Sequence, residues 1–136
     1  MIVKLERGKL NYFRKKARNS SVEEYCFLLG KRISPNLIEV YDFFYPKFEI
    51  QNATTIVVDD DNYAFVEQCA KKDGNIVLGS LHSHLNYSPV MSKTDQTSHK
   101  DNNDKVSGIV SVVGRKTFFE FWELNSSLPV KVKFFK

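Results

Sequence analysis

The segment from Ile76 to Leu81 restricts the fold more than any other part of the sequence, because it is apolar at nearly every position. A strand with one wet face alternates apolar and polar residues, whereas a strand covered on both faces is apolar along its length. Residues 75–82 therefore predict a central strand, and this strand carries His82 at its carboxyl end.

The other segments predict a mixture of helices and strands. Leu10, Phe13 and Ala17 recur at helical spacing and predict an amphipathic helix over residues 6–18. The segment Asp59-Asp60-Asp61-Asn62 predicts the start of a second helix, which Asp73-Gly74 ends. Further strands are predicted over residues 24–29 (closed by Gly30), 37–45, 55–58, 105–113, 117–124 and 130–135, with a hairpin turned at Gly114-Arg115. Hairpin and crossover connections together predict an α/β (α+β) domain with a mixed central β-sheet flanked by helices.

Composition limits the class of protein. A chain of 136 residues with 42% hydrophobic and 26% charged residues suits one globular domain, residues 1–136. No apolar run is long enough to cross a bilayer, and the start lacks a secretory signal, so we expect a cytoplasmic protein. Cys26 and Cys69 suit buried thiols in a reducing compartment. The net charge of +4 is compatible with an acidic partner, but it is too moderate to indicate nucleic-acid binding, and nucleic acid is an unlikely partner.

Two histidines and an aspartate form a candidate metal site. His82 and His84 are two residues apart, so both side chains point to the same side of an extended segment. Asp95 follows in a Ser-x-x-Asp segment that begins at Ser92 and reads as the first turn of a short helix. Three protein ligands leave a fourth tetrahedral position for water, as in catalytic zinc sites. Each part alone has a plainer explanation, since H-x-H is a weak signal and Ser-x-x-Asp is often only a capping box.

The combined pattern resembles a known family. The order H-x-H, seven residues, S-x-x-D, with a glutamate upstream, is similar to the JAMM motif of the MPN-plus (JAB-domain) zinc metalloproteases. In that family the glutamate opens a segment E-x-x-G-x-x-x-G, which fits here from Glu23 to Gly30 with Cys26 in place of the inner glycine. Leu85 stands where the family commonly has proline.

The resemblance implies a single MPN/JAB-like domain in which His82, His84 and Asp95 bind one catalytic zinc ion. It further implies that Glu23 is the general acid/base and that Ser92 helps to hold the oxyanion. Adjacent strand residues face opposite sides, so only one of Glu23 and Glu24 can reach the metal, and the family spacing to Gly30 favours Glu23. The implied reaction is hydrolysis of peptide or isopeptide bonds at the C-terminus of ubiquitin or a ubiquitin-like or sulfur-carrier-like protein.

Two other functions are compatible with the same residues. A non-catalytic MPN scaffold would bind a protein partner without stoichiometric zinc. A nucleic-acid-associated relative of the fold, suggested by the basic helix, would bind DNA with a steep dependence on salt. A nucleobase zinc deaminase is disfavoured, because the H-x-E and P-C-x-x-C elements are absent from the sequence.

Overall fold

A computed structural model describes residues 1–86, 105–124 and 128–136. These residues form two helices and nine strands. In chain order the elements are β1 (Ile2–Leu5), α1 (Arg7–Arg18), β2 (Tyr25–Ser34), β3 (Leu37–Phe44), β4 (Phe48–Gln51), β5 (Ile56–Val58), α2 (Asp60–Lys72), β6 (Ile76–Leu85), β7 (Val106–Val113), β8 (Lys116–Glu123) and β9 (Lys131–Phe134).

Seven of the strands form one mixed sheet in the order β8-β7-β6-β2-β3-β1-β9, and β4 and β5 form a separate antiparallel pair. The pairs β6–β7, β1–β3 and β1–β9 are parallel, and the other neighbours are antiparallel. Strand β6 lies inside the sheet and is buried from Leu78 to His84. The prediction of a central strand is therefore confirmed.

The two helices cover opposite faces of the sheet. Adjacent residues of β2 divide between two apolar clusters: Leu28 packs in the cluster that contains Phe13 of α1, and Phe27 packs in the cluster that contains Val66 of α2. Side chains alternate between faces along a strand, so the two clusters lie on the two sides of the sheet. The predicted α+β class with a helix-flanked mixed sheet is confirmed.

A glycine allows β6 and β7 to approach closely. Gly79 pairs with Val106, and a Cβ at residue 79 would collide with the carbonyl oxygen of Val106. Only glycine fits this contact. The parallel pairing of β6 with β7 starts at Gly79 and Val106 and, in the same register, places His84 beside Ser111.

The structure corrects several predicted boundaries. Gly30 does not end β2: the strand continues to Ser34, and Gly30 instead marks a register shift where a Cβ would strike the backbone of Glu39. Strand β6 extends beyond residue 82 to Leu85, so both histidines lie within it. Strands β1 and β4 were not predicted. The hairpin turn at Gly114-Arg115 is confirmed, with Gly114 at φ 63°.

Both cysteines are free. Cys26 is fully buried and Cys69 is half-buried. Burial raises the pKa of the Cys26 thiol well above its ordinary value, because it disfavours the thiolate. Among the described helices, none has the length and apolar character that spanning a membrane requires.

Candidate metal centre

His82 and His84 lie near the carboxyl end of β6 and turn their rings toward each other. Their Nε2 atoms are 3.1 Å apart, and the ring centroids are 4.9 Å apart at an interplanar angle of 63°. Exposure is only 6% for His82 and 8% for His84. The alternation of side chains along the strand therefore brings two buried imidazoles to one point, as the sequence predicted.

The spacing of the two nitrogens fits a shared metal ion. A tetrahedral zinc ion with metal–nitrogen bonds of about 2.0 Å separates two ligand nitrogens by about 3.3 Å. The observed 3.1 Å is within a few tenths of an ångström of that value. The same distance also suits a hydrogen bond between two neutral imidazoles. The pair therefore has the geometry of two of the three predicted ligands.

The third predicted ligand, Asp95, lies outside the described residues, and so does Ser92. Within residues 1–86, 105–124 and 128–136, no group of three His, Cys, Asp or Glu side chains is arranged to hold a metal ion. The roles predicted for Asp95 and Ser92 stay predictions.

The register of β2 and β6 indicates which glutamate shares a face with the histidines. Tyr25 pairs with His82, and beyond it the Ser83 amide donates to the Glu24 carbonyl at 2.9 Å. If the same antiparallel register continued for one more residue, it would bring Glu23 opposite His84. Directly opposed residues point to the same face, so this register favours Glu23 over Glu24 as the glutamate that shares a face with the histidines.

The Ser83 side chain closes the end of the β2–β6 ladder. Its Oγ accepts a hydrogen bond from the Glu24 amide at 2.8 Å, where a continuing ladder would use the Ser83 carbonyl. Ser83 is fully buried and Glu24 is 8% exposed. The H-x-H pattern gives no indication of this partner. This contact ties the backbone next to Glu23 to the backbone between the two histidines.

The end of β4 holds the backbone of Glu23. The Glu23 amide donates to the carbonyl of Asn52 at 2.8 Å, and the Gln51 side-chain Nε2 donates to the carbonyl of Glu23 at 2.8 Å. Gln51 Nε2 also lies 3.4 Å from Oε2 of Glu24. Sequence analysis missed Gln51, because nothing in a local pattern links it to residues 27 and 28 positions earlier in the chain.

Ser111 on β7 is a second buried serine at the site. It pairs with His84 in the parallel β6–β7 register and is fully buried. In the described part of the chain, its Oγ is the one buried side-chain polar atom that lacks a hydrogen-bond partner. Buried hydroxyls are normally paired, so an orphaned Oγ beside His84 is consistent with a group that the protein binds there. A serine inside the apolar run of β7 was the sequence signal for it.

A cleft of about 640 Å³ lies near the carboxyl end of β6, and its lining includes neither histidine. It is bounded by the end of α1 at Arg18, the β4–β5 turn at Thr54, and the ends of β6 and β7 at Leu85 and Val112. Leu85 also packs against the main apolar cluster. Asn86 then takes a left-handed conformation, φ 64°, and its amide donates to the carbonyl of Val112 at 2.8 Å. With leucine at the family's proline position, β6 thus continues to Leu85 and turns at Asn86.

Solved structures with the same fold include proteins of three organisms. A protein of Desulfitobacterium hafniense has a TM-score of 0.78 and 17% identity, covering 98% of this chain and 93% of that one. A JAB1/MPN domain protein from Archaeoglobus fulgidus has a TM-score of 0.67 and 16% identity, covering 98% and 97%. A protein of Salinibacter ruber has a TM-score of 0.65 and 22% identity, covering 90% and 82%.

Sequence comparisons add no assignment, since no family model and no curated protein matches the chain. Identities of 16 to 22% show the fold alone. The chain is a small α+β domain with the fold of a JAB1/MPN domain protein, in agreement with the resemblance of its sequence motif.

Proposed function

We propose that this protein is a zinc-dependent metallopeptidase or isopeptidase of the JAMM type. The observation that carries the proposal is the convergence of His82 and His84, whose Nε2 atoms lie 3.1 Å apart on the strand next to Glu23. A buried imidazole pair with a nearby glutamate would supply two of the three ligands and the base of a hydrolytic zinc site. The JAB1/MPN fold of a solved structure supports the same class of protein.

Each residue has a specific role in this proposal. His82, His84 and Asp95 would hold zinc, which when bound supplies an acidic water and a positive charge beside the scissile carbonyl. Glu23 would take a proton from the attacking water and return it to the leaving amine. Ser92 would donate a hydrogen bond to the developing oxyanion.

We further propose that the substrate is a peptide or isopeptide bond at the C-terminus of ubiquitin or of a ubiquitin-like or sulfur-carrier-like protein. This substrate class comes from the resemblance of the motif.

The test is to incubate the protein with a panel of ubiquitin-like fusions, with and without a chelator, and to identify the products by mass. Cleavage at the fusion point that stops on chelation and returns with zinc is the expected result. Cleavage that ignores the chelator would contradict the zinc mechanism. Absence of stoichiometric zinc binding in calorimetry would instead favour a protein-binding scaffold.

Glu23→Gln supplies the matched control. This variant should bind zinc as the parent does and lose about 10²- to 10⁴-fold in rate, because only the proton transfer is removed. Glu49→Gln, at an exposed residue of β4, should stay within about threefold of the parent rate. Full activity in Glu23→Gln would reject its assignment as the base.

A further inference from the structure

We propose that Gln51 is a positioning residue that fixes the general base Glu23 against the metal centre. The inference rests on the proposed function, because it assumes that Glu23 acts as the base. Gln51 ends β4, which belongs to the small β4–β5 sheet and not to the sheet that carries the histidines. The proposed site is therefore completed by an element outside the main sheet.

Glu23 needs such support because it lies outside regular structure. Strand β2 begins at Tyr25, so Glu23 precedes the regular ladder between β2 and β6. A carboxylate that must reach one water molecule needs a fixed backbone, since misplacement by about 1 Å can cost 10²-fold in rate.

Two consecutive residues at the end of β4 hold the backbone of Glu23 by hydrogen bonds. Asn52 accepts the Glu23 amide at 2.8 Å, and Gln51 Nε2 donates to the Glu23 carbonyl at 2.8 Å. Both backbone polar groups of Glu23 are therefore held from one side. The additional 3.4 Å approach of Gln51 Nε2 to the Glu24 carboxylate extends the hold by one residue and orients the Gln51 amide.

The β4–β5 turn is itself stiffened and anchored. Asn52 Oδ1 accepts the amides of Thr54 and Thr55 at 3.0 and 2.8 Å, and the Asn52 amide donates to the Thr55 carbonyl at 3.0 Å. Phe48, at the other end of β4, packs edge-on against Tyr25 with ring centroids 6.5 Å apart. Gln51 therefore precedes a hydrogen-bonded turn, and its strand packs against β2.

The experiment compares Gln51→Met, which keeps the length of the side chain but has no donor, with Glu49→Gln, an exposed control on the same strand. We expect Gln51→Met to lower kcat by about 10- to 100-fold with KM and zinc affinity within about threefold of the parent. Gln51→Arg, which restores a donor of similar reach, should recover part of the loss. Loss of zinc binding in Gln51→Met would show a general structural role and overturn the inference.

A double-mutant cycle separates positioning from general damage. If Gln51 acts through Glu23, then Gln51→Met should cause no further loss in the Glu23→Gln background, so the two effects do not multiply. Multiplying effects would refute the positioning role. If the parent cleaves no substrate, the proposed function fails and hydrogen exchange of the Glu23 amide decides the positioning: faster exchange in Gln51→Met supports it, and unchanged exchange refutes it.

Discussion

Ser83 and Ser111 form a natural pair for measuring what one buried hydrogen bond contributes to this fold. Both side chains are fully buried, on the neighbouring strands β6 and β7. Ser83 Oγ accepts the Glu24 amide at 2.8 Å, whereas Ser111 Oγ has no partner among the described residues. Replacement by alanine removes the same hydroxyl in each case, so the hydrogen bond is the principal difference.

The magnitudes follow from the partners. Ser83→Ala leaves the Glu24 amide, in a residue that is only 8% exposed, without an acceptor; such a buried unpaired donor costs about 1 to 3 kcal/mol. Ser111→Ala removes a hydroxyl that has no hydrogen-bond partner within residues 1–86, 105–124 and 128–136, so the loss of packing volume and the relief of desolvation should nearly cancel. We expect its free energy of unfolding to change by less than about 0.5 kcal/mol.

Urea unfolding followed by the fluorescence of Trp122 measures both variants, with the metal-free protein in each case. For a domain of this size, each kcal/mol shifts the midpoint of thermal unfolding by about 4 °C, which gives an independent check. Equal destabilisation of Ser83→Ala and Ser111→Ala would refute the reasoning. That result would mean that the Ser83–Glu24 bond adds nothing to the packing of a buried hydroxyl.

Three further predictions concern the glycine contact, the buried thiol and the histidines. Gly79→Ala should lower the free energy of unfolding in urea by at least about 3 kcal/mol, because the new Cβ meets the carbonyl of Val106. Gly114→Ala has open space around it and should lower that free energy by only about 1 to 2 kcal/mol, because of its positive φ. Similar losses in the two variants would contradict the contact at Gly79. Because the pKa of Cys26 is raised, the folded protein keeps a proton above pH 9 that the unfolded chain releases. The free energy of unfolding should therefore fall from pH 9 to 10 by up to about 1.4 kcal/mol per pH unit, and Cys26→Ala should flatten that slope. An unchanged slope would remove Cys26 as its cause. His84→Ala should weaken zinc binding in calorimetry by at least about 100-fold, and unaltered affinity would exclude His84 as a ligand.

The elements that the sequence predicted are those with a clear local sequence pattern. The continuous apolar run of β6 required two covered faces, the helical spacing of Leu10, Phe13 and Ala17 gave α1, and Gly114-Arg115 gave the hairpin turn. Strand β1 was missed, because its four residues show too short a pattern and its parallel partners β3 and β9 lie far along the chain. Tertiary pairing, not propensity, makes β1 a strand.

Within the candidate site, too, the local contacts were predicted and the contacts between distant segments were not. The H-x-H spacing alone predicted that two imidazoles share a face, and the structure brings their Nε2 atoms to 3.1 Å. Contacts from distant segments were beyond sequence reasoning: Gln51 reaches Glu23 from another sheet, and Ser111 reaches the neighbourhood of His84 by strand register. The proposed ligand Asp95 and the proposed oxyanion donor Ser92 rest on the motif.

The place of β1 has a consequence for how the chain is completed during synthesis. Strand β1 lies between β3 and β9, and among the described strands β9 pairs with β1 alone. More than 120 residues separate Val3 from its partner Val132, so the edge of β1 stays open on the ribosome until β9 has emerged. An open parallel edge is a template for wrong pairing. Docking of β9 should therefore be the last and slowest step of folding, and the step most exposed to aggregation.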